Sequence, residues 1–158
     1  MKKRYACLAF VGIFCSGFYL GGKSLVRMIN EYKKGMERNY VNMILLNNWL
    51  NFLYSGKKIE EYFHLHNYNR IMIYGNGYIG KRLFQSLMKT DIQVASIMDR
   101  EVPVDTGNIV IGIESDVPEV DCIVVTPVFY YEEIVNLLNE KTKIPIISIE
   151  NVIELDNK

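Results

Sequence analysis

At 158 residues, with 18 basic and 18 acidic side chains, the chain has length for one domain of ordinary size and no dominant charge. That balance excludes the basic face on which nucleic-acid binding depends. The three cysteines, Cys7, Cys15 and Cys122, form neither a disulfide framework nor a CxxC metal pair, and such usage suits a reducing compartment.

The N-terminus decides where the rest of the chain resides. Residues 5 to 22, "YACLAFVGIFCSGFYLGG", carry no charge and are bracketed by Lys2, Lys3 and Arg4 on one side and Lys23 on the other. A helix of this length spans about 27 Å, against a hydrocarbon core of roughly 30 Å, so residues 1–22 are expected to form an uncleaved, single-pass membrane anchor. A cleaved signal peptide and an interfacial helix are the alternatives, since four glycines and Ser16 dilute the apolar run. Phe14 before Cys15 argues against a lipoprotein site. The flanking charges nearly tie, with a lean toward a cytoplasmic C-terminal side.

Residues 23–68 read as a helical lead-in. Met43, Leu46, Leu50 and Leu53 fall on one stripe at steps of three and four, flanked by Trp49, and are expected to pack on the sheet edge or on a partner helix. Gly56 should stop this helix. A short second helix is expected around "KKIEEYFHLHN", with Ile59, Tyr62 and Phe63 on one face. His64 and His66 lie two apart, which places them on different sides of a helix and speaks against a metal site.

From residue 69 to the end, strands alternate with helices. Strands are expected at 70–74, 93–98, 108–112, 121–126 and 145–149, and helices at about 78–89 and 130–141. Alternation of this kind implies a parallel sheet with right-handed crossovers, and the continuous Val/Ile runs fit strands covered on both faces. The fold class is thus α/β, a Rossmann-like parallel sheet of about five strands preceded by a helical segment and an N-terminal transmembrane helix.

Gly75, Gly77 and Gly80 form G-x-G-x-x-G directly after the first strand and directly before a helix with the stripe Ile79, Leu83, Leu87. In such a motif the first glycine permits a tight turn, the second admits a pyrophosphate to the backbone, and the third lets helix and strand pack closely. Free N–H groups along Asn76, Gly77, Tyr78, Ile79 and Gly80 would face the anion. Asp99 ends the second strand, 19 residues after Gly80, where a carboxylate can accept hydrogen bonds from a ribose diol. Arg100 beside it either meets a 2′-phosphate or is a solvated charge, which leaves NAD and NADP both open. Thr126, Tyr130 and Tyr131 stand at the end of the fourth strand, at the mouth where ligands usually lie. A glycine turn retained for packing alone is the competing reading.

No catalytic set accompanies these residues. A sugar epimerase or short-chain dehydrogenase would want Tyr-x-x-x-Lys beyond the fourth strand, so that the lysine lowers the phenol's pKa. None follows Thr126, and Tyr54 to Lys58 precedes the domain. Tyr74 also takes the place of the first glycine in the epimerase pattern. Glu132 and Glu133 are placed to complement the dipole of the following helix.

The stretch "LLNNWLNFLYSGKKIEEYFHLHNYNRIMIYGNGYIGKRLFQSL", with "DCIVVTPVFYYEEIVNLLNEKTKIPIISIENVI", resembles a group of bacterial Rossmann-like NAD(P)-binding or nucleoside-diphosphate-sugar-binding domains. These accompany glycosyltransferases of surface polysaccharide synthesis and are loosely described as sugar epimerases. The resemblance covers about residues 43 to 153 and carries over Gly75, Gly77, Gly80 and Asp99. It implies a module that takes NAD(P) or a nucleotide-sugar, with a glycosyltransferase or polysaccharide-assembly partner, which the expected anchor would hold at the membrane. An oxidoreductase subunit that borrows its substrate domain, or a ligand-free scaffold docking a partner through residues 40–66, are the rival expectations.

Overall fold

A computed structural model describes residues 2–103 and 109–154, with side chains from residue 22 onward. The chain divides into two units, Met1–Tyr40 and Val41–Lys158. The first is helix throughout its described length, as the leading part of α1 (Lys2–Tyr54). Its residues from Gly22 to Tyr40 are solvent-exposed apart from half-buried Gly35. The side chains of residues 5–21, the body of the expected membrane span, lie outside the described residues. Among the described residues no helix is long and apolar enough to cross a membrane.

The second unit is a five-stranded parallel sheet between helices. Its elements are the end of α1, α2 (Ile59–Leu65), β1 (Arg70–Tyr74), α3 (Tyr78–Leu87), β2 (Gln93–Asp99), β3 (Val110–Gly112), β4 (Cys122–Val125), α4 (Tyr131–Asn139), β5 (Ile146–Ser148) and α5 (Ile149–Val152). Strand order is β3-β2-β1-β4-β5, and every adjacent pair is parallel. From the centre the chain winds outward twice. It runs through α3 from β1 to β2 on one face, and through α4 from β4 to β5 on the other, as crossovers of a single hand require. The order of winding therefore reverses between β1 and β4, and the loops leaving those two strands part there.

Alternation along the strands feeds two cores. Ile71 and Ile73 of β1, Ile97 of β2, and Cys122 and Val124 of β4 meet Phe63 of α2, Leu83 and Leu87 of α3, and Ile149 of α5. On the opposite face Met72, Tyr74, Met98, Ile123 and Val125 meet Ile134 and Leu138 of α4. Both faces of β1 and β4 are closed, which is why those strands read as unbroken apolar runs. Burial pushes the Cys122 thiol up to about 12, with the neighbouring Asp121 charge adding to it, so this cysteine stays protonated at neutral pH.

Helix α1 departs from expectation in which face it buries. Leu45, Trp49 and Phe52 enter the core, while Met43, Leu50 and Leu53 are more than half exposed and Leu46 is half-buried. The buried stripe is also spaced by four and three residues, so the sequence held two competing stripes a short turn apart. Trp49 belongs to the packed one rather than flanking the other. Gly56, at φ +79, follows the helix end as expected.

The sheet's lower edge is held by Asp121, whose Oδ2 accepts from the N–H of Asn69 at 2.7 Å and of Arg70 at 2.8 Å. These two backbone donors, that of Arg70 foremost, hold its carboxyl below the usual carboxylate range. A group with a depressed folded pKa contributes stability above its unfolded pKa and loses it as pH falls through the folded one. Asp121→Asn should thus lower the urea midpoint at pH 7, and its gap to the parent should narrow as pH is taken from about 4 toward 2. A gap that is constant with pH would show that the carboxylate charge is not what joins β4 to β1.

Candidate functional site

The glycine turn lies at the carboxyl ends of β1 and β4, where the winding reverses. Gly75 adopts φ +104, a conformation that side chains other than glycine rarely take, and its N–H bonds to Met98 O at 2.8 Å. A Cβ on Gly75 would come within 2.7 Å of Thr126 Oγ1 and 2.9 Å of the Pro127 ring. One on Gly80 would lie 1.8 Å from the Gly75 carbonyl oxygen, so α3 rests directly on the turn. Gly77 is different. Its backbone is ordinary extended chain, φ −73 and ψ −170, and a Cβ there would meet nothing within 4 Å.

Packing thus accounts for two of the three glycines and leaves the middle one facing open space. That space lies at the start of α3, for which Gly77 is the N-cap residue and no side chain supplies a cap. The first turn of α3 contains no acidic residue, and Lys81 and Arg82 follow at once. Uncapped N–H groups, the positive end of the helix dipole and two cations make this a favourable place for an anion.

The expected site residues separate into four roles. Gly77 and Tyr78 are exposed at the helix start, and Arg82 packs over the Tyr78 ring at 5.1 Å while donating to its hydroxyl at 3.2 Å. Ile79 and Gly80 are buried, so they offer only backbone. Asn76 donates its N–H to Asp99 Oδ2 at 2.5 Å, and Asp99 Oδ1 accepts from Glu101 N at 3.0 Å. Asp99 therefore ties the glycine turn to the end of β2. A carboxylate has about four acceptor positions, so two are left for a diol. Thr126 is buried, and its hydroxyl donates toward the carbonyls of Tyr74 at 3.0 Å and Gly75 at 3.3 Å. It braces the turn from below rather than opening onto the cleft.

A cleft of about 170 Å³ adjoins the turn, lined by Tyr74, Gly75, Asp99, Arg100, Pro127, Tyr130 and Ile134. It is smaller than the roughly 300 to 1,000 Å³ of whole-ligand pockets and matches one ring-sized portion of a ligand. Tyr130 is thus at the mouth, as its position after β4 suggests. Tyr131 turns away, its hydroxyl donating to Ile146 O at 3.2 Å, and burial above all, then the Glu132 charge, raises its pKa. Glu132 and Glu133 occupy the first turn of α4.

Tyr74 is the residue that reading by motif undervalued. Its side chain is 4 % exposed and its hydroxyl has no hydrogen-bond partner among the described residues. Nothing in the sequence signals this, since a Tyr ending a strand is ordinary core. His64 pairs with Asp91 at 2.9 Å on the surface, and no group of three metal-ligating side chains gathers among the described residues. No family model, curated protein or solved structure matches this chain.

Proposed function

We propose that the sheet domain binds a nucleotide or nucleotide-sugar, with its diphosphate over Gly77 and the start of α3 and a ring in the cleft between Arg100 and Tyr130. The observation that carries this reading is the contrast among the glycines: Gly75 and Gly80 are accounted for by contacts within the chain, while Gly77 stands at the N-cap of α3 with open space before it. The strand order β3-β2-β1-β4-β5, with the turn at the point of reversal, supports the same reading, because ligands of such sheets gather there. Asp99 holds the turn and presents its remaining acceptor positions to a ribose. NAD, NADP and nucleotide-sugars all satisfy this arrangement.

We infer further that residues 5–22 anchor the protein in a membrane with the domain on the cytoplasmic side, where such ligands are plentiful. It acts there as an accessory of surface polysaccharide assembly rather than as an enzyme by itself. Among the described residues no nucleophile with an activating base stands at the cleft. Protease added to intact cells should leave the domain whole and degrade it only after lysis; cleavage on intact cells would reverse the assigned topology.

The binding test is a thermal-shift panel of NAD, NADP, UDP-sugars and CDP-sugars on the full chain in detergent, followed by calorimetry on the best of them. At least one should raise the melting temperature. Asp99→Asn keeps an acceptor for Asn76 N–H but removes the charge, and should weaken that ligand about tenfold, in line with roughly 1.5 kcal/mol for a charge-assisted hydrogen bond. A panel without a single shift would favour the scaffold reading instead.

A further inference from the structure

The first unit exposes an apolar stripe. Leu25, Ile29, Tyr32 and Met36 follow one another at steps of four, three and four, and they are between 44 % and 70 % exposed. Counting on in the sequence of α1 by three and four reaches Asn39 and then Met43, Leu46, Leu50 and Leu53, of which Met43, Leu50 and Leu53 are exposed and Leu46 is half-buried. This is a strict 3.5-residue period over four heptads, and such a period specifies a left-handed supercoil with a second helix.

The charges are arranged around the stripe. Of the seven charged side chains from Lys23 to Arg38, only Lys33 falls beside it. The others occupy the positions pointing outward in a two-stranded coil, where Arg27 pairs with Glu31 at 3.1 Å. Met28, Val26 and Tyr40 extend the apolar edge instead.

From this spacing we propose that α1 pairs with α1 of a second copy of the chain as a parallel, in-register, two-stranded coiled coil. In that arrangement Lys33 of each copy meets Met28 of the other, so no like charges oppose one another. Asn39 meets Asn39, so each amide finds a partner across the seam in this register. In an antiparallel pair Asn39 would instead face a methionine and leave its amide unpaired. Closing off about 80 Å² on each of the seven exposed stripe residues per helix removes about 1,100 Å² in total, at the lower edge of what stable interfaces bury. The flanking Met28, Val26 and Tyr40 add to it. A pair of this kind does not depend on what the glycine turn binds.

The test uses the full chain in detergent with Cys7 and Cys15 replaced by serine. Tyr32→Cys, at a core position, should give a covalent dimer on mild oxidation, and Lys34→Cys, on the outward face, should not. Ile29→Glu combined with Met36→Glu should convert the parent dimer to a monomer in light scattering while the unfolding of the sheet domain stays unchanged. A monomeric parent, equal crosslinking at the two cysteines, or a covalent adduct with a different protein would overturn the proposal. So would disulfides formed between mixed Leu25→Cys and Leu50→Cys chains, which only an antiparallel pair brings together.

Discussion

Gly80→Ala should lower the melting temperature of the sheet domain by about 10 °C or more, the largest effect expected of any single methyl group in it. The added carbon would sit 1.8 Å from the carbonyl oxygen of Gly75, so the two backbones must separate by more than an ångström. The turn cannot yield. Gly75 is held at φ +104 with its N–H on Met98, and Thr126 and Pro127 lie directly behind it. Helix α3 would have to lift, which pulls Leu83 and Leu87 from the core they share with β1. Overpacking against unyielding backbone of this kind costs about 3 kcal/mol or more. Unfolding followed by circular dichroism measures it. A variant melting within about 2 °C of the parent would mean that α3 does not rest on the turn.

How much of this was legible beforehand follows from what each signal depends on. The parallel sheet was, because strands buried on both faces must be unbroken apolar runs, and those runs lie between helical patterns of the right length; β1 begins and ends at the residues expected. Strand ends elsewhere were set by tertiary pairing: β4 and β5 run a residue shorter at each end, and β2 runs one residue longer. Which stripe of α1 meets the sheet was not legible, since two apolar stripes spaced by three and four differ only in which one the sheet selects. Periodicity reveals an amphipathic face but not its partner.

The glycine spacing foretold a turn between β1 and α3, and Asp99 lies beside it. They did not distinguish the roles within it. That Thr126 bonds upward to the turn's own carbonyls, or that one Asp99 oxygen is taken by Asn76, depends on geometry across strands that no local pattern encodes. The same holds for Tyr74, whose unpartnered hydroxyl exists only because β2, β4 and α4 close around it.

The decisive substitution is Gly77→Val. On sequence alone it would be ambiguous, because a glycine in a turn often needs positive φ, and a β-branched residue there could unfold the protein. The structure removes that ambiguity: φ is −73, ψ is −170, and the position is exposed with no atom near a built Cβ. Valine adopts this extended backbone readily, and the loss of glycine at the N-cap position costs about 1 kcal/mol or less. The branched side chain would instead stand in the space before the uncapped N–H groups of α3, where the proposed diphosphate would lie. Calorimetry with the best ligand of the nucleotide panel should show binding weakened at least 100-fold, while the melting temperature falls by no more than about 4 °C. Gly80→Ala behaves oppositely, losing stability first. If Gly77→Val binds that nucleotide as tightly as the parent, the open space above the turn is not a phosphate site, and the nucleotide reading of this fold fails with it.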